Sequence, residues 1–120
     1  MAKRGVYTSL CGDVVRYRSG WELALMRWLD ANAAVLAWRY EPFAIEYVAA
    51  DASPKIRQYV PDFLVVWNEQ PPELIEVKPC KRIKGRVIRK AEAAAEFAHD
   101  LGCTYSFMTE VELRSIGAMR

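Results

Sequence analysis

The sequence predicts an α/β domain, a mixed β-sheet flanked by helices in the order α-β-β-β-α-β-α, and three observations carry that expectation. Apolar residues recur at helical spacing through Trp21, Leu25, Trp28 and Leu29, and again through Ala91, Ala94, Ala95, Ala98 and Leu101. Between these helices lie aromatic and β-branched stretches around Trp38, Tyr40, Ile45, Tyr47, Tyr59, Val65 and Val66, broken by proline-containing segments. The second helix has the length of a crossover, so the strands on either side of it are expected to run parallel. The first three strands, joined by short connections, are expected to be antiparallel.

The bulk numbers agree. A chain of 120 residues suits one domain over 1–120, and 52% hydrophobic content supplies a core without disulfide or metal staples. The formal net charge is only +2, so affinity for a polyanion has to come from a local patch. Three widely spaced cysteines (Cys11, Cys80, Cys103), no CxxC and the single His99 argue against a zinc site and a secreted disulfide framework. The basic start, Met1 to Arg4, is not followed by an apolar run, and no segment approaches the ~20 apolar residues of a membrane span. The expectation is a cytoplasmic protein with no membrane partner.

Taken in order, residues 1–18 read as a basic arm, irregular or partly extended, carrying Lys3, Arg4, Arg16 and Arg18. Ser19-Gly20-Trp21-Glu22 has the form of a capping box, in which the Ser19 hydroxyl takes the Glu22 amide and the Glu22 carboxylate reaches back. The helix it opens runs to about residue 32. A first strand spans 35–48, with a bend expected at Pro42, and 49–55 is a turn. A second strand covers 57–67, and Asn68-Glu69-Gln70-Pro71-Pro72 forces the next turn. A third, short strand spans 73–78 and stops at Pro79. A basic loop over 81–84 leads into the long helix, about 87–101, with Gly102 past its end. Residues 104–108 read as the last strand. Thr109 and Glu112 mark the cap and third position of a short final helix to about 116.

Four residues stand out against this frame. Alternation along the third strand puts Glu76 and Lys78 on one face and Ile75 and Val77 on the other. Asp62 lies with Leu64 and Val66 on one face of the second strand, so Asp62 and Glu76 can converge if the two strands pair. Glu22 falls on the apolar arc of its helix, with Leu25, Met26 and Leu29, where an unpartnered carboxylate is costly. Carboxylates of this kind suit a hard cation such as Mg²⁺, which takes oxygen ligands from one or two acids plus phosphate and water. A lysine beside them can orient an attacking water and offset charge developing on a phosphate. Blander readings stand beside this one. Glu22 serves as a cap, Asp62 as a turn carboxylate after Pro61, and Lys78 as a surface lysine paired with a neighbouring acid.

With Pro61-Asp62 followed by Glu76-Val77-Lys78, the chain resembles the PD-(D/E)XK nuclease superfamily, whose fold is restriction-endonuclease-like. It is most similar to the N-terminal catalytic domain of the TnsA endonucleases through Ser19 to Glu22, Tyr40-Glu41-Pro42, Tyr59-Val60-Pro61-Asp62-Phe63 and Glu76-Val77-Lys78-Pro79, over roughly residues 16–108. Phage endonuclease I, a junction-resolving enzyme, is similar over the same segments. The resemblance implies Mg²⁺-dependent hydrolysis of DNA, with Mn²⁺ substituting. Glu22, Asp62 and Glu76 would be at the metal and Lys78 would assist the water. TnsA proteins carry a further C-terminal domain and this sequence ends at residue 120, so the expectation is a stand-alone nuclease of a phage or mobile element.

Residues 78–90 add Lys81, Arg82, Lys84, Arg86, Arg89 and Lys90 to Lys78 with no acid among them, a run suited to gripping phosphates beside the cut site. Arg16 and Arg18 extend it, and DNA is the expected partner. The bland reading of the run is a solvated loop and helix face. Cutting both strands of a duplex calls for two active sites, which makes a homodimer or a partner protein an open expectation. Two other functions fit the same residues: a silent DNA-binding or phage-assembly module on this fold, and a nuclease subunit active only with a partner.

Overall fold

The computed structural model describes residues 4–49 and 55–120. Its strands are β1 Gly5–Thr8, β2 Val14–Tyr17, β3 Val35–Tyr40, β4 Ile45–Ala49, β5 Lys55–Tyr59, β6 Phe63–Trp67, β7 Glu73–Val77 and β8 Thr104–Met108. The helices are α1 Gly20–Ala31, α2 Arg86–Asp100 and α3 Glu110–Ser115, with a 3₁₀ turn over Cys80–Arg82. The central sheet has the order β3-β6-β7-β8. β3 and β7 flank β6 antiparallel, and β8 runs parallel to β7 after the α2 crossover. This is the restriction-endonuclease-like mixed sheet between helices, with the strand directions expected of it.

The amphipathic patterns decide the layers. Leu25, Met26 and Leu29 of α1 meet Phe63, Val65 and Ile75 of the sheet and Leu113 of α3 in one core. On the opposite face, Leu74 packs with Ala94 and Ala98 of α2 and with Ile45 and Tyr59 of a β4–β5 ribbon. Adjacent residues Leu74 and Ile75 thus serve different cores, as alternation in a doubly covered strand requires. Truncating Phe63, which is fully buried, would cost about 3–5 kcal/mol.

Four details differ from the sequence expectations. Residues 35–48 are two strands: the chain breaks at Glu41, at φ 49, before Pro42, and β4 leaves the central sheet to pair with β5. Residues 57–67 are likewise divided at Val60-Pro61-Asp62, so Asp62 sits in the bend ahead of β6 rather than within a strand. Pro61 has no amide to give to a ladder and is itself buried there. The basic arm is a regular hairpin, Gly5 opposite Tyr17 through Thr8 opposite Val14, turned through Gly12 at φ +88. It is clipped to α1 because Tyr7 Oη and the Leu10 amide both donate to Asp30. On α2, Ala95 and Leu101 face solvent, and the buried stripe is Ala94 and Ala98. Of the expected 49–55 turn, residues 50–54 lie outside the described residues, as do residues 1–3 with Lys3.

Candidate active site

β7 delivers Glu76 and Lys78 as alternation dictates, to the α2 side of the sheet that Leu74 also faces. Lys78 Nζ lies 3.6 Å from Glu76 Oε2. The backbone beyond is held by the last elements of the chain. The Lys78 amide donates to the Met108 carbonyl, and the Cys80 amide donates to the Glu110 carboxylate at 2.8 Å. α3 is fixed by a full capping box between Thr109 and Glu112.

Asp62 reaches the same place from the bend ahead of β6. The β6–β7 register pairs Phe63 with Ile75, and one step further sets Asp62 against Glu76. Asp62 Oδ2 accepts the Val77 amide at 2.8 Å, which fixes the carboxylate beside β7. Burial first, and then the Glu76 charge, push the Asp62 carboxyl up from 3.8 to about 8, against the Val77 hydrogen bond and the Lys78 ammonium. Glu76 is also raised, by burial, against the Tyr59 hydroxyl and the Lys78 and Lys90 ammonium groups. Two carboxylates in low dielectric repel, and burial makes the charged form of each costlier than it is in water.

Glu22 approaches from α1 and is only 6% exposed. The Ser19 hydroxyl accepts the Glu22 amide at 3.2 Å, as the capping box requires. The return half differs: Glu22 Oε1 takes the Arg18 amide at 2.7 Å, one residue before the cap, and the Tyr40 hydroxyl at 2.9 Å. The carboxylate is therefore partnered without a metal, through one oxygen. Its charge is among those that raise Asp62, so the three acids share one electrostatic field. Among the described residues, no group of three acidic, histidine or cysteine side chains is placed to hold a metal ion, and Glu22, Asp62 and Glu76 do not form such a group. The donors present are carboxylate oxygens beside a lysine, the chemistry a hard divalent cation takes when substrate and water complete its shell.

Three tyrosines at the site carry no assignment from the sequence. Tyr40 holds Glu22, while Tyr59 donates to Glu76 Oε1 at 2.6 Å and shares a 2.8 Å hydrogen bond with the Tyr105 hydroxyl. Burial leads in raising all three phenols far above the ordinary tyrosine range, so they stay protonated. Tyr40 and Tyr59 stand in the segments that carry the family resemblance, Tyr40-Glu41-Pro42 and Tyr59-Val60-Pro61-Asp62-Phe63, whereas Tyr105 has no such signal.

Of the basic residues, Lys81, Arg82, Lys84, Arg86 and Arg89 are exposed, on the 3₁₀ turn, the following loop and the first turns of α2. Lys90 is half-buried and turned inward, its Nζ 5.9 Å from the Tyr59 ring centre. Arg16 is exposed on β2, and Arg18, also exposed, is paired with Glu41 at 2.6 Å.

The family model described as TnsA-like endonuclease N terminal matches residues 32–110, which include Asp62, Glu76 and Lys78 and begin after Glu22. The chain is also similar to the head completion nuclease of Enterobacteria phage T4, 28% identical over 126 residues that cover 86% of this chain and 83% of that protein.

Proposed function

We propose, from the premise that this chain belongs to the TnsA-like endonuclease N-terminal family, that it is a metal-dependent endodeoxyribonuclease, one domain spanning residues 1–120. The observation that carries this reading is the meeting of Asp62, Glu76 and Lys78 at one end of β6 and β7, with both acids raised by burial. A buried pair of mutually repelling carboxylates is a cost to folding, and a divalent cation that neutralises it is the simplest reason to keep it.

In this reading Asp62 and Glu76, with Glu22 beside them, would hold Mg²⁺, for which Mn²⁺ would substitute. A bound cation of this kind lowers the pKa of water and offsets charge on the phosphate. Lys78 orients the water whose oxygen forms the new bond to phosphorus as the bond to the leaving sugar oxygen breaks and that oxygen takes a proton. Lys81, Arg82, Lys84, Arg86, Arg89 and Lys90, with Arg16 and Arg18, bind the flanking phosphates. Contacts of this kind fix position on the duplex without reading sequence. The similarity to the T4 head completion nuclease supports a phage or mobile-element nuclease acting inside the cell.

A second reading is a DNA-binding or assembly module whose site is silent alone. One observation favours it: Glu22 is already partnered by the Arg18 amide and the Tyr40 hydroxyl and needs no cation. Asp62→Ala separates the two. The nuclease reading expects cleavage with Mn²⁺ or Mg²⁺ to disappear in the variant while salt-sensitive DNA binding persists. A wild-type protein that binds DNA but leaves supercoiled, linear and branched forms intact with either metal would favour the module.

A further inference from the structure

We propose that Tyr59, braced by Tyr105, is the positioning residue that sets the Glu76 carboxylate for the cation, an inference that rests on the metal-dependent reading of the site. Tyr59 ends β5, in a ribbon outside the central sheet, and its hydroxyl crosses to Glu76 Oε1 on β7 at 2.6 Å. Tyr105 on β8, the strand on β7's far side from β6, closes the chain from the opposite direction at 2.8 Å. One hydroxyl, from β5, thus reaches one carboxylate oxygen, and a second, from β8, braces that hydroxyl. The other carboxylate oxygen, Oε2, is left on the Lys78 side at 3.6 Å.

The direction of the hydrogen bonds follows from chemistry. Glu76 as a carboxylate only accepts, so Tyr59 donates to it, and Tyr105 in turn donates to the Tyr59 oxygen. A chain of donors polarised toward a charged acceptor is stronger than its separate links. Holding a long glutamate in one rotamer removes side-chain entropy that metal binding would otherwise have to supply.

The alternative use of these rings, as platforms on which DNA bases stack, fails on space. Tyr59 is only 7% exposed. The cavity bounded by Tyr59, Glu76, Lys78, Lys90, Tyr105 and Phe107 has a volume of about 20 Å³. That is room for about one water molecule and none for a base. The hydroxyls therefore act on Glu76 rather than on substrate. Lys90 lies against the same ring, its ammonium 5.9 Å from the Tyr59 centroid, and anchors the ribbon residue from the α2 side.

Calorimetric titration of Mn²⁺ into wild type, Tyr59→Phe, Tyr105→Phe, Glu76→Gln and the Tyr59→Phe/Glu76→Gln double variant tests this, with thermal unfolding and cleavage kinetics alongside. Tyr59→Phe is expected to weaken Mn²⁺ binding about 10-fold and to lower kcat at saturating metal while KM for DNA stays within about twofold, and Tyr105→Phe to do the same more weakly. In the Glu76→Gln background, Tyr59→Phe should change Mn²⁺ affinity no further. The positioning role is overturned if Tyr59→Phe lowers the unfolding temperature yet binds Mn²⁺ as wild type does, or if its effect persists undiminished without the Glu76 carboxylate. A wild-type protein that takes up no Mn²⁺ would instead overturn the metal-dependent reading, and this inference with it.

Discussion

The Asp62 carboxylate accepts the Val77 amide at 2.8 Å, so the bend before β6 is tied to the strand that carries Glu76 and Lys78. That tie holds the carboxylate in place, but burial and the Glu76 charge still lift it from its ordinary 3.8 to about 8 in the fold. A raised acid binds its proton more tightly folded than unfolded. Its contribution is therefore fully present at pH below the unfolded value and declines as pH rises toward 8. Asp62→Asn removes it. In EDTA, the unfolding temperature of wild type should fall between about pH 4 and pH 8 more steeply than that of Asp62→Asn, with the variant the more stable at pH 8. Parallel curves would mean that the carboxylate is not under this strain. Mn²⁺ should raise the wild-type unfolding temperature and leave the variant little changed.

Glu22 joins two roles that a single substitution can separate. Its Oε1 takes the Arg18 amide and the Tyr40 hydroxyl, and its charge reaches Asp62. Glu22→Gln keeps an oxygen for both donors, so thermal stability should change little, whereas loss of the charge should lower kcat by about 10²-fold or more. Full cleavage by Glu22→Gln would leave only the structural role. Ser19→Ala, which removes only the hydroxyl cap of α1, should cost about 1 kcal/mol by denaturant unfolding and leave cleavage unchanged.

The exposed cations Lys81, Arg82 and Lys84 follow Lys78 directly along the chain. Replacing all three with Gln should weaken binding to duplexes of unrelated sequence alike. It should also flatten the plot of log affinity against log salt by about 0.9 for each phosphate no longer neutralised. A weakening confined to one DNA sequence, or an unchanged slope, would place the DNA elsewhere.

α3 supports the site from behind, because its first residue, Glu110, takes the Cys80 amide just past Lys78. Thr109→Ala breaks the capping box and should cost about 1 kcal/mol. The Thr109 hydroxyl and amide hold the Glu112 carboxyl below its ordinary value. The stabilisation is therefore present above the unfolded Glu value and lost as pH falls through the lower folded one. Unfolding scans in the acid range should show a difference between wild type and Glu112→Gln that shrinks with falling pH.

Much of this arrangement is legible in the residues. Alternation alone puts Glu76 and Lys78 on one face, and the helical wheel puts Glu22 with Leu25, Met26 and Leu29, the residues found buried with it. Local rules for caps mark the starts of α1 and α3, and the span of β8 follows from the short stretch Thr104 to Met108, with Tyr105 and Phe107, between Gly102 and Thr109. Asp62 is harder, because a run of β-branched and aromatic residues reads as one strand even where Pro61 divides it. Ala95 faces solvent against expectation because alanine is tolerated on either side of a helix and carries little information about facing. The tyrosine chain is illegible for a different reason: the bond from Tyr59 to Tyr105 joins residues 46 apart, and only the packing of the β4–β5 ribbon against the central sheet brings them together.

Metal-dependent hydrolysis by this site is decided by cleavage of duplex and branched DNA with wild type and Lys78→Ala in Mg²⁺, Mn²⁺ and EDTA. Wild type should cut with either metal, and neither wild type in EDTA nor Lys78→Ala with metal should cut. Cleavage by wild type that is equal in EDTA, or by Lys78→Ala at the wild-type rate, would contradict the account.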